Sequence, residues 1–296
     1  MVPLLWAIIT ITFILMHNVE GGPFSREREL PPAAIENLNE KYGLDDPLWE
    51  QYVNYLKGIV QGDLGVSYRH ANQPVSDLIR DGFWTSAQLG LMAFLFAVFF
   101  GLSLGTISAL SHNGPLDYVG VFFSTIGAAM PNFVLAAFLI VIFSVELGWF
   151  DVLGWEFGNY RKMVLPIVAL GVLPAAYFAR ITRASMLEVL GQDYVRTARA
   201  KGLSEWVVIL RHTIKNAMVP ILTVMGPYLA FLITGSFIVE TVFSIPGIGQ
   251  RFVDAVLVRD YGMIMGTVIF YAMFIAVINL IVDILYAVVD PRIRYS

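Results

Sequence analysis

Cysteine is missing from this 296-residue chain, which excludes disulfides, thiolate nucleophiles and cysteine-ligated metals. Charge is scarce: 14% of the residues are Asp, Glu, Lys or Arg, against about 25% in soluble domains, and 57% are hydrophobic. The four histidines, His17, His70, His112 and His212, lie far apart and never in H-E-x-x-H spacing, which argues against a zinc hydrolase. No G-x-S-x-G elbow occurs, and no apolar run pairs a Ser with a His for intramembrane proteolysis. The lysines are Lys41, Lys57, Lys162, Lys201 and Lys215, none in G-x-x-x-x-G-K-[ST], so this chain carries no P-loop and any ATP-driven work needs another subunit.

What the chain does have is long apolar runs. A helix needs about 20 residues to cross about 30 Å of hydrocarbon. Runs of that order predict six spans at Met1–Met16, Ser86–Leu110, Tyr118–Val145, Met163–Arg183, Ile221–Phe243 and Met263–Val289. The first lacks a basic n-region and an A-x-A-like site, so it reads as a retained span rather than a cleaved signal.

The fold class expected is an all-α integral membrane protein in three parts. Residues 1–17 form the first span, 18–84 an extracytoplasmic subdomain, and 85–296 a five-helix core with a hairpin at 186–219. In the subdomain, Leu48, Tyr52, Tyr55, Leu56 and Ile59 recur at helical spacing between Pro47 and Gly62, which predicts a short amphipathic helix packed on the bundle. Lys and Arg resist translocation, and Arg180, Arg183, Arg196, Arg199, Lys201, Arg211 and Lys215 face only Glu188, Asp193 and Glu205 in their segment. That segment is therefore assigned to the cytoplasm, as are both termini, the C-terminus through Arg292 and Arg294; Arg161 and Lys162 then fall in an outer loop, against the rule.

Pro131, Pro166, Pro174 and Pro227 each remove an amide donor within or beside a span and mark candidate kinks. Gly101 and Gly105 form a GxxxG pair suited to close helix contact. Glu146, Glu240 and Asp283 are the acidic groups near or within spans, positions where a charge is costly enough to invite a functional reading. Met130, Asn132 and Phe178, beside proline breaks, are candidates for a translocation path, with core packing as the alternative role.

The stretch DYVRTARAKGLSEWVVILRHTIKNAMVP is wet and basic in a chain that is otherwise mostly oil. Asp193–Ala200 suits a helix, Gly202 a left-handed C-cap, and Ser204 with Glu205 the start of a second helix that Pro220 would end. Val207, Leu210, Ile214 and Met218 line one face of that second helix. A DNA reader would need a helix free to enter the major groove, whereas this hairpin is tethered at both ends. From the residues alone it either docks a cytoplasmic protein or contacts anionic lipid.

The run EVLGQDYVRTARAKGLSEWVVILRHTIKNAMVP resembles the cytoplasmic coupling loop, or EAA loop, of permease subunits in ATP-binding-cassette importers. YGLDDPLWEQYVNYLKGIVQGDLGVSY, ETVFSIPGIGQRF and NLIVDILYAVVDPRIRY resemble the oligopeptide, dipeptide and nickel branch, and the long outer segment its first permease type. The resemblance implies a six-helix type I (MetI-like) permease fold with an insertion after the first helix. It implies as partners a second homologous permease, two ATPases that bind ATP and Mg, and an extracytoplasmic peptide-binding protein; this chain itself would hold no cofactor, in a lipid bilayer and without nucleic acid. The coupling residues implied are Asp193, Tyr194, Arg196, Thr197, Ala198, Ala200, Lys201, Gly202 and Leu203. Two other readings stand beside it: a secondary carrier driven by an ion gradient, and a membrane scaffold whose hairpin recruits a cytoplasmic partner.

Overall fold

The computed structural model describes residues 2–18, 39, 42–70 and 73–289, with side chains as far as Ile281. The acidic segment after Gly22, Arg292, Arg294 and the Asp283 side chain lie outside that description. Among the described residues the structure is helical apart from one bridge, Val66 to Pro74.

Helix α1 covers Val2–Asn18 and α2 covers Leu48–Val60, the amphipathic helix expected from its spacing. The two pack together: Thr10 Oγ1 lies 2.7 Å from the Tyr52 hydroxyl, His17 bonds Gln51, and the Phe13 and Tyr52 rings meet edge-on. At 1.5 Å per residue α1 reaches about 25 Å, short of the hydrocarbon thickness.

Helix α3, Val75–Leu110, starts at Pro74 rather than at Ser86, because the turn before it is held by a main-chain bond from Val75 N to Gly65 O. Its 36 residues give about 54 Å, so its first turns project beyond the apolar layer. The expected continuous span Tyr118–Val145 is instead a broken pair. Helix α4, Pro115–Ala129, and α5, Asn132–Leu139 running on as a π-helix through Glu146, meet at 106°. The cause is Pro131: Met130 before it is forced into extended backbone at ψ 121°, which ends one helix and starts the next.

Helix α6, Tyr160–Leu190, extends past the expected span at both ends and carries Pro166 and Pro174 without breaking; Asn159 caps it by accepting from Arg161 N. After α7, Asp193–Ala200, a short helix α8, Glu205–Val207, continues as a π-helix, Val208–Ile214, and then directly as α9, Lys215–Ile233. Pro220 therefore does not end the hairpin. It sits inside α9, where a membrane helix tolerates the lost amide bond. The predicted run to Phe243 is broken at Gly235, φ +99°, before α10, Phe237–Val242. Helices α11, Ile248–Val258, and α12, Tyr261–Val289, complete the chain.

Among the described residues the six expected spans thus become four helices long and apolar enough to cross, one bent pair and the shorter α1. The two ends of the bundle differ. At one end Ala109, Met186 and Ala217 pack beside the hairpin; at the other, Val75, Leu78, Ile248 and Met263 form a cluster. Arg161 and Lys162 lie near the second end, and each is paired, with Asp151 at 3.1 Å and Glu156 at 2.9 Å, so the basic excess expected to oppose the charge rule is neutralised locally.

The seam between α3 and α6 is built on small residues. A Cβ added at Gly101 would stand 2.8 Å from the Ala175 carbonyl oxygen, and one at Gly105 would stand 2.5 Å from that of Ala179. The GxxxG pair therefore does what its pattern suggested, letting two backbones approach closely. On the same helix a Cβ at Gly90 would fall 2.1 Å from the Leu232 carbonyl oxygen, so α9 enters the seam by the same means. Replacing Gly105 by Leu is expected to destabilise the bundle by about 3 kcal/mol, the upper end of overpacking effects, read as a lowered unfolding midpoint in detergent; an unchanged midpoint would show that the seam can open.

Candidate functional site

The basic hairpin folds as a small unit with its own core. Val195 and Ala198 on α7 are buried against Val208 on the π-helix, with Val189 completing the cluster. Thr197 Oγ1 donates to the Asp193 carbonyl, and Asn216 Nδ2 donates 3.1 Å to the Tyr194 hydroxyl, tying α7 to α9. At the turn Gly202 has φ +77°, a left-handed position that a Cβ disfavours. Ser204 occupies the expected cap position, but its side chain makes no cap bond. Instead Glu205 accepts two bonds from the Arg199 guanidinium, at 2.8 and 3.3 Å, closing the turn across its open side.

Of the nine residues assigned to the hairpin contact, Asp193, Tyr194, Arg196, Thr197, Ala200, Lys201, Gly202 and Leu203 are exposed. Ala198 is not: it is buried against Val208 and holds the hairpin together rather than facing outward. One feature escaped sequence reasoning. Trp206 is 69% exposed, the most open large apolar side chain of the hairpin, beside Leu203 at 40%. An aromatic following a cap residue and an acid was the available signal. The hairpin thus presents apolar groups flanked by Arg196, Lys201 and Arg211, a surface with the chemistry of a docking knob.

A buried ion pair anchors this end. Asp117, in the first turn of α4, accepts from Arg183 Nε and Nη2, both at 2.7 Å, from the Ser108 hydroxyl and from Asn113 N. Three helices, α3, α4 and α6, meet on that one carboxylate, a single turn or two above the hairpin. At the far end Glu240 plays the same part. It is fully buried and accepts from the Ser86 hydroxyl at 2.8 Å and from the backbone N–H of Ser236 and Gln250, while Ile248 N donates to Ser86. A Cβ at Gly247 would stand 2.3 Å from Glu240 Oε2, which explains the glycine in SIPGIG.

The translocation-path candidates separate. Phe178 is completely buried, packed on Ala97, Phe94 and Tyr228, so it is a core residue and lines no path within this chain. Asn132 borders an apolar cavity of about 290 Å³ with Leu170, Phe231 and Tyr271. Met130 is half-buried at the break between α4 and α5. Among the described residues no cluster of His, Asp and Glu could hold a metal.

Two families of known sequence match this chain. The one described as the binding-protein-dependent transport system inner membrane component matches residues 101–295, and the N-terminal component of such membrane proteins matches residues 1–90. The chain is 43% identical to the oligopeptide transport system permease protein OppB of Haemophilus influenzae, over 99% of this chain and 96% of that protein. It is 45% identical to OppB of Salmonella typhimurium, over the same shares. It is also 45% identical to the dipeptide transport system permease protein DppB of Bacillus subtilis, over 97% of this chain and 92% of that one. Among solved structures, an inward-facing form of the MetNI methionine ABC transporter superposes with a TM-score of 0.60 at 18% identity, covering 72% of this chain and 96% of the other, which shows a common fold.

The Asp117 pair generates a prediction. Removing one member of a buried ion pair strands the other, so Asp117→Ala is expected to destabilise by about 3 kcal/mol, the low end of the usual range because Arg183 is partly open to water. Chemical denaturation in micelles measures it, and adding Arg183→Met should recover part of the loss; a double variant no better than the single one would count against a stranded charge.

Proposed function

The chain belongs to the binding-protein-dependent transport system inner membrane components, and on that premise we propose that it is the permease subunit of an ATP-binding-cassette importer for oligopeptides or dipeptides. The observation that carries this reading is identity of 43% and 45% to peptide permeases over nearly the whole chain. The assembly pairs it with a second homologous permease and with two ATPases that bind ATP and Mg. An extracytoplasmic peptide-binding protein completes it. The hairpin end faces the cytoplasm, in keeping with its basic excess, and residues 18–84 lie outside as a subdomain on the first span.

The geometry supports a mechanism. The exposed knob of α7 and its turn seats in a groove on an ATPase, with Tyr194, Leu203 and Trp206 as apolar anchors and the arginines at its rim. From Glu205 to Ile233 the helical path is unbroken, through the π-helix into α9, so displacement of the knob moves a span without an intervening loop. On the other side Arg183 ties the end of α6 to Asp117 on α4. ATP-driven closure of the ATPases therefore reorients α6, α9 and α4 together, alternating access between the two faces for peptide released by the binding protein. The π-helix, with its extra residue per turn, is the segment where this path can change register.

Gly202→Val tests the joint. A β-branched residue at φ +77° is strained by about 1–2 kcal/mol, which reshapes the turn rather than unfolding the bundle. In proteoliposomes carrying the whole importer, peptide uptake should fall at least tenfold while the subunit still inserts; normal uptake with normal ATPase association would overturn the joint. Uptake by the unaltered importer that needs an ion gradient and no ATP would overturn the importer reading itself.

A further inference from the structure

At the end of the bundle opposite the hairpin, a cavity of about 400 Å³ opens between the loop carrying Arg69 and His70 and helix α11, lined there by Gln250, Arg251 and Asp254. Its two walls are built. Asp260 fixes the first: its buried carboxylate accepts from the Ser67 hydroxyl and from the backbone N–H of Tyr68, Arg69 and Met263. Burial, and then the charge of Asp260, push the Tyr68 phenol up to about 12, so that residue stays neutral. The second wall is Arg251, in the first turn of α11. Its stem lies against α3 where Gly82 leaves room, since a Cβ at Gly82 would stand 3.3 Å from Arg251 Cδ.

Arg251 is half-buried. Its Nε is buried without a hydrogen bond, and among the described residues its guanidinium forms no ion pair, although Asp254 lines the same cavity. A buried N–H left without an acceptor is unfavourable, because it has given up water and gained nothing in exchange. Asp260, the other carboxylate on the wall, already serves four donors. The cavity thus holds a cationic fork that is oriented, half-buried and unsatisfied at its Nε, a geometry matched to a carboxylate.

We propose that this cavity is a docking socket for an acidic side chain of the extracytoplasmic binding protein, with Arg251 as its anchor. The inference rests on the importer reading above, which supplies the partner and places this end outside. A protein partner, rather than a free peptide, is favoured by what surrounds the socket. Helix α11 is an 11-residue helix between spans, and its Val258, 39% exposed, lines the socket together with Pro246 and Leu78. Apolar groups around a half-buried arginine are the make-up of a protein interface, where arginine anchors contribute most.

The test uses the complete importer in nanodiscs and its peptide-loaded binding protein, with docking read by biolayer interferometry over a range of salt. Arg251→Met, which keeps the length of the stem, should raise Kd at least tenfold and flatten the salt dependence, with ATPase activity in the absence of binding protein unchanged. Asp254→Asn removes the competing carboxylate without touching the packing and should tighten docking. Free trialanine added in excess should leave docking of the loaded protein unchanged. Equal Kd and salt dependence for the original chain and both variants would overturn the socket while leaving the importer reading intact, and competition by trialanine would reassign it to the carboxylate of a passing peptide. An unaltered assembly that docks no binding protein would overturn both.

Discussion

The close seam of α3 against α6 is the constraint on which the remainder of this structure depends. In hydrocarbon, apolar contact between helices gains little over contact with lipid, so close packing and a few buried polar bonds must hold the bundle. Helix α3 supplies both. Gly90, Gly101 and Gly105 bring the backbones of α9 and α6 against it, while Ser86 near its start and Ser108 near its end reach the two buried carboxylates, Glu240 and Asp117. One long helix therefore carries the contacts that set the spacing of the spans and those that fix both ends.

The buried acids share a logic. Asp117, Glu240 and Asp260 each sit near an end of the bundle and each is surrounded by hydroxyl and backbone donors, in the case of Asp117 by an arginine as well. A carboxylate with several donors can be buried where an unsatisfied one cannot. Acidic residues near membrane spans invite a reading as coupling or transport groups, but here the donors they hold are those that join separate helices and loops. Arg251 is the contrast: a half-buried group positioned by the fold whose Nε no acceptor among the described residues satisfies.

The hairpin is built from ordinary local rules. It is held by Val189, Val195, Ala198 and Val208, by the Arg199–Glu205 pair and by the Asn216–Tyr194 bond. Its second arm is continuous with a span. That continuity joins the two through helix hydrogen bonds, which resist stretching far better than a loop does.

Much of this was legible in the residues. The amphipathic helix at Leu48–Val60, the α7 helix at Asp193–Ala200, the left-handed turn at Gly202 and the GxxxG seam follow from periodicity and from the steric freedom of glycine, properties of short segments that tertiary contacts left unchanged. The fate of the prolines did not follow. Pro131 breaks a helix pair by 106°, while Pro166, Pro174, Pro220 and Pro227 sit inside continuous helices, and the difference lies in the preceding residue, which is extended at Met130 and helical before the other four. The sequence by itself determined which segments are apolar, which turn needs glycine and where basic charge gathers, since those depend on composition and local backbone sterics. Only the tertiary structure decided that Asp117 meets Arg183, that Glu240 meets Ser86, that Phe178 is core and that Arg251 Nε finds no acceptor among the described residues, because each depends on which side chains, distant along the chain, the packed helices bring within reach.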